Sequence, residues 1–171
     1  MKTKFSTPLS LLSVFAAAVS VCSGSEWTVV NPTPTKCSLY TVTYTGANIV
    51  ATGDLGSVLL SPDGEHWAKV RITDPAGDLI ELSHAVWSGK TMIVGGNAPG
   101  IVWSSPDGAR WSRVEIGAPV ELRRIIWTGS RFAGLGVDVS GWRFSPVFLS
   151  SGDGSRWSVD PVRAGGSREC F

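Results

Sequence analysis

The stretch SPDGEHW, residues Ser61 to Trp67, carries the pattern that decides the fold. The pattern returns as SPDGARW from Ser105 and as SGDGSRW from Ser151, so Ser-x-Asp-Gly-x-x-Trp occurs three times, with starts 44 and 46 residues apart. A regular period of that size marks an array of similar structural units. The residues that the three copies share are Ser61, Asp63, Gly64 and Trp67, then Ser105, Asp107, Gly108 and Trp111, then Ser151, Asp153, Gly154 and Trp157.

A second repeated block precedes each copy of the pattern. Segments 39–53, 82–96 and 122–136 align without a gap, and in each an aromatic residue, a Thr or Ser and a glycine stand between two short apolar runs. Such a block predicts a β-hairpin. A third apolar run leads into the pattern and a fourth leaves it, and four strands in roughly 40 to 46 residues predict one propeller blade. The three predicted blades cover about residues 39–72, 82–116 and 122–162.

No competing helical pattern follows the first 23 residues, because Gly or Pro interrupts nearly every window. The predicted fold class is therefore all-β, a β-propeller-like array of about three four-stranded antiparallel blades. The residue types of the repeated turn suit this fold. An Asp can accept hydrogen bonds from backbone N–H groups two residues on, while glycine takes positive φ without strain. The Trp can cover the turn and keep a polar partner for its indole N–H.

The repeated turn resembles the Asp-box, or BNR repeat, whose usual form is Ser-x-Asp-x-Gly-x-Thr-Trp. Asp-boxes occur in sialidases, in other secreted glycoside hydrolases, in sortilin-type receptors and in photosystem II assembly-factor-like propellers. The shorter Asp-Gly form is most similar to bacterial assembly-factor-like and sialidase-like repeat proteins. The resemblance covers about residues 27–162. It implies that each turn joins the third and fourth strands of a blade, on the rim and away from any active site.

The turns predict no metal, cofactor or catalytic residue, because a calcium loop needs several oxygen ligands and each turn offers one carboxylate. A formal net charge of +1 with 17% charged residues gives no long-range field to attract nucleic acid. No segment after residue 23 is apolar enough to span a bilayer.

The N-terminus predicts export. Lys2 and Lys4 precede an apolar run that ends in small residues, the layout of a secretory signal peptide over residues 1–23. Cys22 resembles the lipidated cysteine of a bacterial lipobox, although Val21 stands where a small residue is usual. The alternatives are lipidation of Cys22 and its loss with the signal peptide. The chain is expected to be exported, and for a bacterial source the expected location is the periplasm, the outer membrane or the extracellular space.

An exported chain favours disulfide formation. Cys37 and Cys170 are a candidate disulfide between the two ends of the repeat region, predicted to extend over residues 24–171, and the alternative is two free thiols.

Three blades are few, because propellers usually close with four to eight. Residues 24–30 match the end of one copy of the pattern, which predicts a lone outer strand at 26–30 before the first blade. Three explanations stay open: a product of a longer propeller, two chains that share a six-bladed ring, or an open stack of three sheets. Unpaired blade edges invite self-association.

The third unit carries an insertion. The next serine of the pattern, Ser151, stands 15 positions after Gly136, the glycine that ends the hairpin block, against 8 and 9 positions in the first two units. Loops on a rigid framework often carry binding residues, so Asp138, Trp142 and Arg143 are candidate ligand contacts. Trp103 is a fourth candidate, because the other units have leucine at its position. The alternative for Trp142 is that it caps an edge of its own blade.

These features favour a noncatalytic exported module that binds a protein or a glycan. The first alternative is a sialidase-like glycoside hydrolase, but the sequence has no Arg-Ile-Pro motif, and the adjacent Arg123 and Arg124 are expected on opposite faces of a strand. Glu81, Glu121 and Asp138 show no spacing that pairs two carboxylates for glycoside cleavage. The second alternative is a truncated propeller with no independent function.

Overall fold

The computed structural model describes residues 33–74, 76–142 and 144–162. Within these ranges the chain forms three four-stranded antiparallel sheets, each with its strands in chain order. The prediction of an all-β array of three four-stranded blades is confirmed, and the sheets are called blades 1, 2 and 3 below. The predicted signal peptide at 1–23, the lipidation site Cys22, the lone strand at 26–30 and Cys170 lie outside the described residues.

The bounds of the strands follow the repeat. Blade 1 contains β1 (Leu39–Tyr44), β2 (Ile49–Gly53), β3 (Ser57–Ser61) and β4 (Ala68–Arg71), with a 3-10 turn at Asp54–Gly56 between β2 and β3. Blade 2 contains β5 (His84–Trp87), β6 (Met92–Gly95), β7 (Ile101–Ser105) and β8 (Ser112–Glu115). Blade 3 contains β9 (Val120–Trp127), β10 (Phe132–Asp138), β11 (Ser145–Ser151) and β12 (Ser158–Pro161).

The hairpins between the first two strands of each blade turn on the repeated Thr or Ser and the glycine after it. The backbone N–H of Thr45 donates to the carbonyl of Asn48 at 2.9 Å, and the Thr45 hydroxyl donates to the same carbonyl at 3.2 Å. Ser88 and Thr128 make the equivalent pairs of bonds. These local bonds explain why the hairpin block is readable from the sequence.

The blades stack face to face, with the first strands β1, β5 and β9 side by side. One apolar cluster lies between blades 1 and 2 and another between blades 2 and 3. Every residue of β6 is buried: Met92 and Val94 join the first cluster, while Ile93 joins the second. The middle blade is therefore covered on both faces, as in a propeller. No helix among the described residues is long and apolar enough to cross a membrane.

Candidate functional site

The three repeated turns, called box turns below, join the third and fourth strands of their blades. In the first box turn, Asp63 Oδ1 accepts hydrogen bonds from the backbone N–H groups of Glu65 and His66, both at 2.8 Å. The N–H of Gly64 donates to Ser61 Oγ at 2.8 Å, and Trp67 Nε1 donates to the Gly64 carbonyl at 2.9 Å. The second and third box turns repeat this network.

The second carboxylate oxygen takes a different donor in each box turn. The donors are His66 Nδ1 to Asp63 Oδ2 at 2.8 Å, Arg110 Nε to Asp107 Oδ2 at 2.9 Å, and Ser155 Oγ to Asp153 Oδ2 at 2.7 Å. Both oxygens of each carboxylate therefore serve as hydrogen-bond acceptors within the box turn.

Hydrogen bonding also sets the protonation of these carboxylates. The pKa of Asp107 is lowered to about 2, mainly by hydrogen bonds from the backbone N–H groups of Arg110 and Ala109. The backbone and side-chain donors of Ser155 lower the pKa of Asp153 to about 2, and the donors of His66 hold the pKa of Asp63 well below its usual range. At neutral pH all three are carboxylates with no proton to give, so none is suited to general acid catalysis.

The second and third box turns also contact the preceding blade. Gly108 has φ +80°, and a Cβ at this position would lie 2.6 Å from Cγ2 of Val50 in blade 1. Gly154 has φ +84°, and its Cβ would lie 2.6 Å from Cδ1 of Ile93 in blade 2. Val50 and Ile93 occupy equivalent positions in the repeat. Each of these turns therefore docks its glycine against the neighbouring sheet, where a side chain would not fit.

The insertion of the third unit lengthens the β10–β11 hairpin. Pairing continues to Asp138 and Ser145, and the N–H of Val139 donates to the carbonyl of Pro119 at 2.9 Å. Trp142, beyond the paired residues, is fully exposed, and Phe144 is 73% exposed. The aromatic tip is thus carried on a hairpin whose base is held by regular pairing and by a bond to the segment before β9.

Two sequence predictions about tryptophans are wrong. Trp103 was a candidate ligand contact, but it is 3% exposed and packs in the cluster between blades 1 and 2, because its pairing with Val94 points it into that cluster. The alternative in which Trp142 caps an edge of its own blade also fails, since a fully exposed side chain covers nothing. Trp103 is a packing residue, and Trp142 is an exposed surface residue.

The other two insertion candidates have different outcomes. Asp138 Oδ1 accepts the backbone N–H of Ser140 at 2.8 Å, and this bond lowers the pKa of Asp138. Asp138 is therefore a turn acceptor at the base of the tip. Arg143 lies outside the described residues.

A surface that the sequence analysis missed is the side of blade 3 that faces away from blade 2. We call it the open face and define it by the cross-strand row Arg124, Leu135, Phe148 and Asp160, together with Ile126. The three apolar side chains are between 41% and 54% exposed. The positions equivalent to Phe148 in the other blades, Val58 and Val102, are fully buried. Blade 3 thus exposes an apolar face whose counterparts in blades 1 and 2 are covered.

Of the residues considered for glycoside cleavage, Arg123 and Arg124 lie on β9. A β-bulge at Arg123 breaks the strict alternation expected of β9, so Arg123 and Arg124 are both exposed. Arg123 is held by Glu121, with Nη2 2.7 Å from Oε2. The pKa of His84 is lowered mainly by burial and secondly by the positive charge of Arg124. Within 33–74, 76–142 and 144–162 no three His, Cys, Asp or Glu side chains cluster as a metal site would require.

Cys37 lies at a small cavity of about 160 Å³ lined also by Thr35, Ser57, Lys69 and Arg71. Hydrogen bonds with Ser57 and Thr35 lower the pKa of the Cys37 thiol. Because Cys170 lies outside the described residues, the disulfide between the two stays a prediction.

The stacked four-stranded blades with box turns between their third and fourth strands define an incomplete, β-propeller-like fold. A solved structure described as "YCF48 bound to D1 peptide" is similar to this chain, with a TM-score of 0.57 and 17% sequence identity over 74% of this chain. The chain spans about 40% of that structure's length. At this identity the similarity concerns the fold. No family model and no curated protein matches the sequence.

Proposed function

We propose that this chain is a noncatalytic propeller-type module that binds a protein segment through the tip of the β10–β11 hairpin, with Trp142 as the main contact. The full exposure of Trp142 carries the proposal. Tryptophan is enriched among the residues that dominate binding energy in protein interfaces, and it buries a large apolar area with few rotatable bonds. Phe144 adds a second exposed aromatic ring on the same tip.

The surroundings of the tip favour a peptide over a glycan. Pro146 and Phe144 extend the exposed surface with apolar groups, and the carboxylate of Asp138 is already bonded to the backbone of Ser140. Sugar hydroxyl groups need free polar partners at a binding site, whereas an extended peptide can place an apolar side chain against two aromatic rings. The solved propeller of similar fold is described as bound to a peptide, which supports the same class of ligand.

An array of short unstructured peptides, with the D1 peptide among them, tests the proposal. We expect the chain to retain a subset of peptides and Trp142→Ala to lose them. The matched control is Tyr44→Ala, because Tyr44 is an exposed aromatic residue on β1, in another blade. Binding that survives Trp142→Ala, or binding to a glycan array with none to peptides, would contradict the proposal.

The absence of a catalytic role is tested separately. We expect no turnover of a fluorogenic sialoside. Turnover that disappears in Glu121→Gln would overturn the noncatalytic assignment and favour the sialidase-like alternative.

Export is part of the proposal and rests on residues 1–23, with lipid attachment at Cys22 as its variant form. The mass of the chain recovered from a bacterial envelope fraction tests both. Removal of the first 23 residues is expected for a secreted form, and a lipid-modified Cys22 at the N-terminus for an anchored one. An intact N-terminus on protein that stays in the cytoplasm would contradict export.

A further inference from the structure

We propose that the open face of blade 3 binds the same face of a second copy of this chain, about a two-fold axis parallel to the strands. The face is a sheet surface with exposed Leu135 and Phe148 on its two central strands and exposed Ile126 on the edge strand β9. Exposed apolar patches of this kind mark interaction sites in soluble proteins. What identifies the partner is the order of charges across the face.

One cross-strand row runs from β9 to β12 in the order Arg124, Leu135, Phe148 and Asp160. A positive charge stands at one end, a negative charge at the other, and two apolar side chains lie between them. Since neighbouring strands are about 4.8 Å apart, the ends of the row are separated by about 14 Å. Arg124 and Asp160 therefore cannot neutralise each other within one copy.

A second copy turned about an axis parallel to the strands reverses the order of the row. Arg124 of each copy then faces Asp160 of the other, and Leu135 faces Phe148. An axis perpendicular to the strands would instead place Arg124 over Arg124 and Asp160 over Asp160. The charges thus select one of the two face-to-face arrangements, and an interface of this type is self-complementary, as a two-fold dimer requires.

The other blades show why another blade of the same kind is a poorer partner. The position of Asp160 is taken by Val70 in blade 1 and Val114 in blade 2, and both valines pack against the apolar clusters between blades. The position of Arg124 is taken by Thr41 and His84. These four equivalent positions are half-buried. A blade that covered blade 3 in the usual way would therefore partly desolvate a charge at each end of the row, which is unfavourable unless the partner supplies the opposite charge.

The dimer would also strengthen the binding of a repeated ligand, although dimerisation itself does not require peptide binding. Rotation about an axis parallel to the strands leaves the strand direction unchanged, so both β10–β11 tips point the same way. Two Trp142 side chains would then be displayed on one side of the assembly, and two linked sites bind a repeated or immobilised ligand more tightly than one.

Charge reversal of the row tests the proposal by mass measurement of the full chain in solution over a range of concentrations. We expect a dimer whose dissociation constant rises at least about tenfold in Arg124→Glu and in Asp160→Arg, because each substitution places like charges in contact at two symmetric positions. The double variant Arg124→Glu with Asp160→Arg restores the complementary order, so it should recover dimerisation. The control is Arg131→Glu, an exposed arginine in the β9–β10 turn, which should leave the dimer unchanged.

Circular dichroism of each variant separates loss of the dimer from loss of the fold. A monomeric wild-type chain at every concentration would overturn the proposal. So would a dimer that neither single variant weakens, or a double variant no better than the single ones in a folded state. None of these results bears on Trp142, so failure of the dimer and failure of peptide binding are distinguishable.

Discussion

Replacement of Gly108 by alanine, compared with the same change at Gly64, measures how much the box turn holds one blade against the next. Both glycines have similar backbone conformations, with φ of 80° and 83°, and both lie between the Asp and Trp of a box turn. Only Gly108 has a described blade in front of it. Gly64→Ala therefore serves as the control for backbone strain.

The structure gives the size of each effect. An alanine in this left-handed conformation costs about 1 to 2 kcal/mol at either position. At Gly64 the one contact of the added Cβ with the described part of the chain is Ile49 Cδ1 at 3.6 Å, an ordinary distance. At Gly108 it would lie 2.6 Å from Val50 Cγ2 and 3.1 Å from Leu60 Cδ1. Val50 is fully buried and β-branched, so relief requires the blades to shift, and overpacking of this kind adds about 1 to 3 kcal/mol.

Denaturant unfolding of the two variants and the parent chain gives the comparison. We expect Gly108→Ala to lower the free energy of unfolding by about 1 to 3 kcal/mol more than Gly64→Ala. Gly154→Ala should fall between them, because the nearest atom there is the terminal Cδ1 of Ile93, which can rotate aside more easily than a valine methyl. Equal losses at Gly64 and Gly108 would refute the idea that the turn clamps neighbouring blades.

Four further predictions concern protonation and exposure. In a nuclear magnetic resonance titration His66 should have a pKa above 6.5, because Asp63 accepts a hydrogen bond from its ring, and Asp63→Asn should abolish this rise. The stability that the His66–Asp63 pair contributes is present below pH 6.5 and is lost as the pH rises through the raised pKa of His66. His84 should have a pKa below 6.5, so its burial disfavours the folded chain as the pH falls below 6.5; a value above 6.5 would contradict the structure. Ionised Asp107 should contribute its full stability above pH 3.8, the ordinary pKa of an aspartate, and lose it as the pH falls toward 2. The free energies of unfolding of the parent chain and of Asp107→Asn should therefore converge between pH 3.8 and pH 2. Trp142→Phe should remove the fluorescence component that iodide quenches most readily, and unchanged quenching would show that Trp142 is covered.

The blade pattern was predictable from the sequence because its signals are local. The box turns and the hairpin turns depend on hydrogen bonds between residues at most a few positions apart, such as Gly64 to Ser61 and Thr45 to Asn48. The identity of the side chains in such turns therefore determines the backbone conformation directly. Three copies in register then give the number of blades.

The surfaces were less predictable, because they depend on which face of each sheet another element covers. Trp103 and Trp142 are both unusual within the repeat, yet one is buried between blades and the other is fully exposed. Leu135 and Phe148 belong to strands whose alternation resembles that of the covered blades, and only the stacking shows that their face is open. The bulge at Arg123 likewise changes which way the neighbouring side chains point, with no local sequence signal.

Calorimetric titration with a peptide selected on the parent chain tests the central claim, that this propeller-type chain binds a protein segment through the β10–β11 tip. We expect Trp142→Ala to weaken the affinity by about thirtyfold or more, the loss typical of a dominant interface tryptophan. Tyr44→Ala should bind as the parent chain does. Equal affinities for the parent chain and a folded Trp142→Ala variant would show that the peptide binds elsewhere than at the β10–β11 tip.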